Sequence, residues 1–277
     1  FLSHDSTSEI VASGDVDFVC FTGSVAGGQL MEQAAAGTFL GLGLELGGKD
    51  PAYIRADADL PYSIEQLVDG AFFNSGQSCC GIERIYVHES HYDAFVEGFT
   101  QLVTTYQLGN PLDLSTTLGP VVKPGAANWV RQQISDAVAA GAKACIDTSA
   151  FTLDDGKGAY LAPQVLVDVD HSMSVMREES FGPVVGIMKV KDDAQALALM
   201  NDSDLGLTAS IWTKDENAAA TLGDQLQTGT VFMNRCDYLD PALAWTGVKN
   251  TGRGETLSDL GYHQLTRAKS YNFKTSL

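Results

Sequence analysis

The sequence predicts an α/β fold. Short runs of β-branched and aromatic residues alternate with longer segments of helical periodicity over most of the 277 residues, as in parallel strands joined by helical crossovers. The strands at 17–21 and 39–46 enclose one helical segment, which is the crossover length that parallel pairing requires. The chain is also long enough to bury one large core or two moderate ones. These three observations favour a layered α/β protein.

The opening unit reads as strand, helix and strand. The first strand stops at Thr22-Gly23-Ser24, where Ser24 is expected to cap a helix that runs to about residue 36. The second strand ends in Gly47-Gly48. A doubly wound dinucleotide-binding sheet has two such halves. We therefore expect the N-terminal part of a cofactor domain to be missing from this chain.

The alternation continues to the C-terminal region. Asp59 is expected to cap a helix with an apolar stripe that ends near the Gly76 loop. A tail from 247 to 254 is rich in glycine, and residues 270–274 alternate like an edge strand. The other predicted strands are 84–88, 164–168, 184–190, 208–213 and 229–233, and the other predicted helices are 92–106, 124–140, 192–201 and 215–226.

Composition narrows the possible partners. There are 35 acidic and 17 basic residues, a formal net charge of −18, so nucleic acid and anionic membranes are not expected partners. No apolar run reaches the roughly 20 residues of a membrane helix, and no signal-peptide pattern opens the chain. Five cysteines without a Cys-x-x-Cys pair favour a reducing compartment, which we expect to be the cytoplasm.

Two segments near the start are candidate cofactor and base positions. Gly23 and Ser24 lie where a strand meets a helix, and free N–H groups there favour a phosphate; taken alone, the segment is better explained as an ordinary capped helix. Glu45 lies inside an apolar run, where burial would raise the pKa of a general base. A Glu45 side chain that points to water from the end of a strand is an equally good interpretation.

Two later segments are candidate catalytic and ribose-binding positions. Cys79 follows Asn74-Ser75-Gly76-Gln77-Ser78, and an exposed loop beside backbone donors would lower the pKa of its thiol. Buried structural cysteines are the usual alternative, but the glycine and glutamine favour a loop. Glu178 and Glu179 precede Phe181 and a Gly-Pro turn, so the two acids would hydrogen-bond to a ribose diol while Phe181 packs on a flat ring. In isolation a solvated acidic loop explains that segment better.

Together and in this order, the four segments resemble the aldehyde dehydrogenase superfamily, and the resemblance extends to residues 247–254. It implies that Cys79, three residues after the glycine of Gly-Gln-x-Cys, is the nucleophile. Cys80 is then a neighbour without a chemical role, and Glu45 matches the general base. The resemblance implies cofactor contacts from Gly23, Ser24, the main-chain carbonyl of Leu46, Glu179 and Phe181.

The resemblance implies oxidation of an aldehyde to a carboxylic acid. Cys79 forms a thiohemiacetal, hydride passes to the nicotinamide and leaves a thioester, and Glu45 activates the water that hydrolyses it. The cofactor is NAD by default, with NADP not excluded, and no metal is needed. The alternatives are a CoA-acylating aldehyde dehydrogenase, against which Glu45 argues, and an inactive assembly or cofactor-binding fragment.

The resemblance also predicts a domain organisation. Residues 1–47 would form the C-terminal part of a Rossmann-type dinucleotide-binding domain, residues 48–248 an α/β catalytic domain, and residues 249–277 a tail whose last strand makes a homo-dimer or homo-tetramer. Tyr238 and Trp245 would line a substrate pocket or pack in a core. The family's upstream oxyanion asparagine has no counterpart here, so we expect the chain alone to be a poor or inactive catalyst.

Overall fold

A computed structural model describes residues 1–276, in which helices surround a three-stranded sheet and a seven-stranded sheet, with one short two-stranded pairing beside them. The helices are α1 His4–Ser13, α2 Val25–Ala35, α3 Leu60–Phe72, α4 Tyr92–Val103, α5 Pro124–Ala139, α6 Ser174–Arg177, α7 Asp193–Asn201, α8 Glu216–Gly223 and α9 Ser258–Gln264. The strands are β1 Phe18–Thr22, β2 Gly41–Glu45, β3 Asp50–Ile54, β4 Ile82–His88, β5 Lys143–Ala144, β6 Gln164–Val167, β7 Val184–Val190, β8 Leu205–Gly206, β9 Thr208–Trp212, β10 Thr230–Met233, β11 Val248–Lys249 and β12 Gly252–Arg253.

The three-stranded sheet has the order β1-β2-β12. β1 and β2 pair in parallel, from Phe18 with Gly41 to Thr22 with Glu45, so the predicted strand–helix–strand unit is confirmed. β12 pairs antiparallel to β2. The strand β12, which follows residue 248, thus completes the sheet formed by the opening unit. The predicted domain boundaries stay a prediction.

The seven-stranded sheet has the order β10-β9-β3-β4-β7-β6-β5 and is parallel except at β5. Its central strands are buried on both faces because helices cover each side. Tyr53 and Tyr86 lie in one apolar cluster and Phe95 and Phe99 in the other. The segments that carry Gly47-Gly48, Cys79 and Glu179 lie in the chain directly before β3, β4 and β7.

Two sequence predictions differ from the structure. β3 was not predicted, because Pro51 and its five-residue length give a weak strand pattern, although it lies at the centre of the large sheet. The edge strand predicted at 270–274 does not form within the single chain, since residues 270–276 have no regular secondary structure there, and its pairing with another chain stays a prediction. A strand requires a partner edge to satisfy its N–H and C=O groups, and within residues 1–276 this segment has none.

Within residues 1–276, no helix is both long enough and apolar enough to cross a lipid bilayer.

Candidate active site

The loop that precedes Cys79 has an unusual backbone. Asn74, Ser75 and Gly76 have φ values of 49°, 59° and 71°, a left-handed conformation that only glycine adopts freely. A methyl group on Gly76 would lie 2.3 Å from the carbonyl oxygen of Gly182. The glycine therefore lets the cysteine loop contact the loop that carries Glu179.

Gln77 fixes this loop to the rest of the protein. Its side-chain Nε2 donates to the Asn74 carbonyl at 3.0 Å, and its Oε1 accepts the main-chain N–H of Val122 at 2.7 Å. Ser75 Oγ donates to the Gly119 carbonyl at 2.8 Å. The glycine and glutamine of the motif thus hold a strained backbone in place, as expected for a loop that presents a side chain.

Cys79 is half-buried, and the pKa of its thiol is lowered. The largest cause is a hydrogen bond from the Cys80 thiol, which outweighs burial and the negative charges of Asp237 and Glu45. The pKa of Cys145 is raised and that of Cys236 is raised to about 12, both mainly by burial. Cys79 is therefore the better nucleophile of these three thiols.

Glu179 lies against Gly47 and Gly48. Its Oε1 accepts the main-chain N–H of Gly48 at 3.1 Å, and a methyl group on Gly47 would lie 2.3 Å from its Oε2. A methyl group on Gly48 would lie 2.3 Å from the carbonyl oxygen of Cys79. The paired glycines are thus the point at which the Glu179 and Cys79 segments meet. Burial raises the pKa of Glu179 to about 7.

A buried ion pair holds the Glu179 loop, and it was not predicted from the sequence. Glu83 accepts the main-chain N–H groups of Ser180 at 2.8 Å and of Phe181 at 2.9 Å, and it pairs with Lys49. The pKa of Lys49 is lowered, mainly because the side chain is buried. Phe181 has a φ of 49° and an exposed ring. The apolar context of Lys49 in Gly47-Gly48-Lys49 was the one signal for this pair, because a buried lysine requires a carboxylate.

Glu45 is the last residue of β2, and its side chain is only partly exposed. Its Oε1 accepts a hydrogen bond from Thr256 Oγ1 at 2.8 Å. Its negative charge raises the pKa of the Cys79 thiol. Glu45 thus lies at a strand end with a partly exposed side chain, close enough to Cys79 for its charge to raise the pKa of the thiol.

Gly23, Ser24 and Leu46 lie at the carboxyl end of the small sheet. Gly23 donates its N–H to the Glu45 carbonyl at 3.1 Å, and Ser24 Oγ caps α2 by accepting the N–H of Gly27 at 3.1 Å. Leu46 is buried and donates its N–H to the Thr251 carbonyl at 2.9 Å. These three residues therefore flank Glu45, next to the N-terminus of α2.

Asp237 was also missed from the sequence. It follows β10, has a φ of 45°, and its Oδ1 lies 2.9 Å from Ser78 Oγ and 2.8 Å from Cys80 Sγ. The prediction that Cys80 has no chemical role stays a prediction. Acidic residues after a strand are common on surfaces, so the sequence offered no signal for this carboxylate.

The predicted pocket residues fall in two environments. Trp245 is buried and packs with Cys80 and Leu207, whereas Tyr238 is exposed and its ring lies under the Arg235 guanidinium at 3.4 Å. Trp245 is thus a core residue next to the cysteine segment. The Gly47-Gly48 backbone, which begins two residues after Glu45, contacts both Glu179 and the main chain of Cys79.

Comparison with known sequences agrees with the family resemblance that the motifs indicate. A family model described as the aldehyde dehydrogenase family matches residues 3–271. The chain is 36% identical to retinal dehydrogenase 2 of Homo sapiens over 260 residues, which cover 94% of this chain and 50% of that protein. The chain spans about half the length of the curated relatives it matches.

Solved structures agree with the sequence comparison. Betaine aldehyde dehydrogenase of Staphylococcus aureus in complex with NAD+ superimposes with a TM-score of 0.87 and 31% identity, over 93% of this chain and 52% of that one. The NADP-dependent glyceraldehyde-3-phosphate dehydrogenase of Bacillus halodurans, complexed with NADP, gives a TM-score of 0.87 and 35% identity, over 94% and 53%. The predicted α/β fold is confirmed, and both cofactors occur among the similar structures.

Proposed function

The chain belongs to the aldehyde dehydrogenase family, and from this premise we propose that its site oxidises an aldehyde to a carboxylic acid with NAD(P) as electron acceptor. The observation that carries the proposal is that the Gly47-Gly48 backbone, which begins two residues after Glu45, contacts both Glu179 and the main chain of Cys79. The proposed nucleophile, base and cofactor contact therefore lie on chain segments that meet at this backbone.

Cys79 is proposed as the nucleophile. Its lowered thiol pKa increases the thiolate fraction at neutral pH. The thiolate adds to the aldehyde carbonyl and forms a thiohemiacetal, and the main-chain N–H of Cys79 then donates to the new oxyanion. The left-handed backbone at 74–76 and the Gln77 anchor support this role because they fix where the sulfur points.

Glu45 is proposed as the general base. Thr256 donates to its Oε1, which leaves the second carboxylate oxygen free to accept a proton from water. That water attacks the thioester carbonyl on Cys79 and releases the carboxylic acid, with the thiolate as leaving group. The electrostatic influence of Glu45 on Cys79 supports their proximity.

The residues present fit the nicotinamide end of a dinucleotide. The Glu179 carboxylate packs directly against Gly47, where a Cβ atom would clash with it, and its acceptor oxygens suit ribose hydroxyls. Gly23, Ser24 and the main-chain carbonyl of Leu46 are proposed as further contacts, and Phe181 as the aromatic beside them. When bound, the oxidised nicotinamide supplies the hydride acceptor.

The proposed substrate is defined by its aldehyde group and not by the rest of the molecule. The names of similar proteins point to chemically different aldehydes, among them retinal, succinate semialdehyde and betaine aldehyde. A shared nucleophile, base and cofactor contact is compatible with all of them. The small aliphatic aldehyde propanal is therefore a suitable first substrate, because it requires no specific tail contact.

The test is an assay of the 277-residue chain with propanal and NAD or NADP, in which reduced nicotinamide and propanoate are both measured. We expect Cys79→Ala to abolish product, and Glu45→Gln to lower turnover by about a hundredfold or more, because general base catalysis contributes that much. Cys20→Ala is the matched control, since Cys20 is exposed and lies in β1.

Three results would contradict the proposal. The first is absence of propanoate with either cofactor at an enzyme concentration high enough to detect the poor turnover that the sequence predicts for this chain. The second is unchanged turnover in Cys79→Ala. The third is acyl-CoA as the main product when CoA is added, which would instead indicate the CoA-acylating alternative.

A further inference from the structure

Glu83 lies in β4 and is buried, with 5% of its surface exposed. Its two carboxylate oxygens accept the main-chain N–H groups of two consecutive residues. Oε2 accepts that of Ser180 at 2.8 Å, and Oε1 accepts that of Phe181 at 2.9 Å. Phe181 has a left-handed backbone with a φ of 49°, and successive N–H groups in such a turn form a concave site for an anion. Here that anion is a side chain of the protein, and it fixes the backbone directly after Glu179.

The same carboxylate determines where the Lys49 ammonium lies. Lys49 is buried, and its Nζ donates to Glu83 Oε2 and, at 3.0 Å, to Ser180 Oγ. Within residues 1–276, the Glu179 carboxylate accepts one hydrogen bond, from the Gly48 N–H to its Oε1. A buried lysine requires a carboxylate, and Glu83 meets that requirement. Oε2 of Glu179 is therefore left for a ligand.

The helix α5 holds the preceding part of the same loop. Trp129 Nε1 donates to the Glu179 carbonyl at 3.0 Å, and Gln133 Nε2 donates to the Glu178 carbonyl at 3.2 Å. A strained loop keeps its conformation only when several contacts fix it together. The α5 bonds fix the carbonyl groups at 178 and 179, so the part that contains Phe181 depends on Glu83.

We propose that Glu83 is a positioning residue for cofactor binding, which holds the Ser180-Phe181 backbone and keeps Lys49 away from Glu179, so that Glu179 Oε2 and the Phe181 ring are available to the nicotinamide ribose. The proposal rests on the proposed function, in which Glu179 and Phe181 contact the cofactor. It goes further because Glu83 acts through these two residues and touches neither cofactor nor substrate.

Preorganisation of the loop links Glu83 to affinity. When a binding loop occupies its competent position for only a fraction of the time, the apparent Kd rises by the inverse of that fraction. Loss of the Glu83 carboxylate leaves the N–H groups of Ser180 and Phe181 without their acceptor. It also frees Lys49 to pair with Glu179 and to occupy the oxygen meant for the ribose. Both changes weaken cofactor binding.

Two variants separate this role from a contribution to stability alone. Glu83→Gln leaves Lys49 buried without its carboxylate, so the free energy of unfolding should fall. Lys49→Met/Glu83→Leu replaces the pair with apolar side chains of similar size and should restore most of that stability. The double variant still has no acceptor for the N–H groups of Ser180 and Phe181. Affinity and stability should therefore change independently of each other.

The measurements cover the loop, the cofactor and the stability of each chain. Hydrogen exchange, followed by mass spectrometry in peptides that contain residues 179–183, reports the loop without any cofactor. Calorimetric titration with NAD and with NADP gives each Kd, and urea unfolding gives the stability. Asp193→Asn is the matched control, because the Arg55–Asp193 ion pair lies at the opposite end of β3 from Lys49.

We expect faster exchange of the 179–183 peptides in Glu83→Gln and in the double variant. We also expect the Kd of the better-bound cofactor to rise about tenfold, as it does when the loop keeps its position for about a tenth of the time. The double variant should show both effects although its stability is close to that of the parent. Asp193→Asn should keep the parent's loop exchange and Kd. If Glu83→Gln does not fold, the double variant decides.

Unchanged loop exchange in the double variant would overturn the inference, because the loop would then not depend on Glu83. Faster exchange with an unchanged Kd would also overturn it, and so would a Kd that recovers together with stability. A parent chain that binds neither cofactor contradicts the inference and the proposed function together. A parent chain that binds a cofactor and shows the expected differences, but makes no propanoate, contradicts the proposed function alone.

Discussion

Glu179 combines a half-buried carboxylate with a contact to the main chain of Gly48. Burial favours its protonated form and raises its pKa from the usual 4.5 to about 7. The folded chain therefore binds a proton at Glu179 more tightly than the unfolded chain does. By linkage, this carboxyl makes the fold less stable as pH rises from about 4.5 towards about 7, and the loss is complete above that range.

At the residue scale, we predict that Glu179→Gln stabilises the fold at about pH 8 and has little effect at about pH 4, because the amide carries no charge to desolvate. The gain at alkaline pH is at most about 3 kcal/mol. Urea unfolding at both pH values measures it. Glu178→Gln is the matched control, since Glu178 is the exposed neighbour.

The same carboxyl should affect cofactor binding in the opposite sense. Glu179 accepts ribose hydroxyls better when ionised, so affinity for the reduced or oxidised cofactor should increase as pH rises through about 7. Cofactor fluorescence or calorimetric titration of the parent and of Glu179→Gln would measure this. A pH dependence that is identical in the two chains would argue against this role of Glu179.

At the element scale, two glycines with similar backbone angles allow the cost of a left-handed backbone to be distinguished from the cost of a steric clash. Gly76 in the cysteine loop has a φ of 71° and faces the Gly182 carbonyl oxygen. Gly14 at the end of α1 has a φ of 78°, and a methyl group on it would have no neighbour within 4 Å. Alanine at either position carries the cost of a left-handed conformation, about 1 kcal/mol. The methyl group causes a clash only at Gly76.

We therefore predict that Gly76→Ala destabilises the chain by clearly more than Gly14→Ala, and that it also slows the labelling of Cys79 by iodoacetamide. The extra loss arises because the cysteine loop must move away from the Gly182 loop. Thermal and urea unfolding of the two variants, with Cys79 labelling in each, provide the measurement. Equal losses would mean that the close contact at Gly76 relaxes without cost.

Local patterns predicted the elements with strong sequence signals, and the reasons are visible in particular residues. Ser24 and Asp59 cap the helices that they were expected to cap, because a side-chain oxygen beside free N–H groups is a local effect. β3 was missed, because its pattern is short and contains Pro51. Its neighbours β4 and β9 impose the strand through tertiary pairing, which the local sequence does not encode.

The candidate site was predictable where a residue's role follows from its motif. The resemblance named Cys79, Glu45 and Glu179, and the structure brings their segments together at Gly47-Gly48. Asp237 could not be found in this way, because it lies 157 residues from its partner Cys80 along the chain. Contacts over such distances depend on the folded arrangement of β10 and the cysteine loop.

At the scale of the whole molecule, charge opposes association. The net charge of −18 makes copies of the chain repel one another. At moderate ionic strength, salt screens the repulsion between charges that are more than about 10 Å apart. The segment at 270–274, by contrast, favours association. Tyr271 and Phe273 are 67% and 77% exposed, and their rings stack with centroids 5.7 Å apart. An exposed apolar pair on an extended tail favours contact with another chain.

We predict that the chain associates through this tail, that added salt strengthens the association, and that Tyr271→Ser/Phe273→Ser weakens it. Sedimentation velocity at low and high salt measures the distribution of species. Leu112→Ser/Leu114→Ser is the matched control, because it removes an exposed apolar pair at 88% and 106% exposure from a different loop. If the tail variant keeps the parent distribution while the control loses it, the contact lies at the other loop. A parent chain that is monomeric at every salt concentration would contradict the prediction that the tail makes a homo-dimer or homo-tetramer, because repulsion would then have been removed without any attraction appearing.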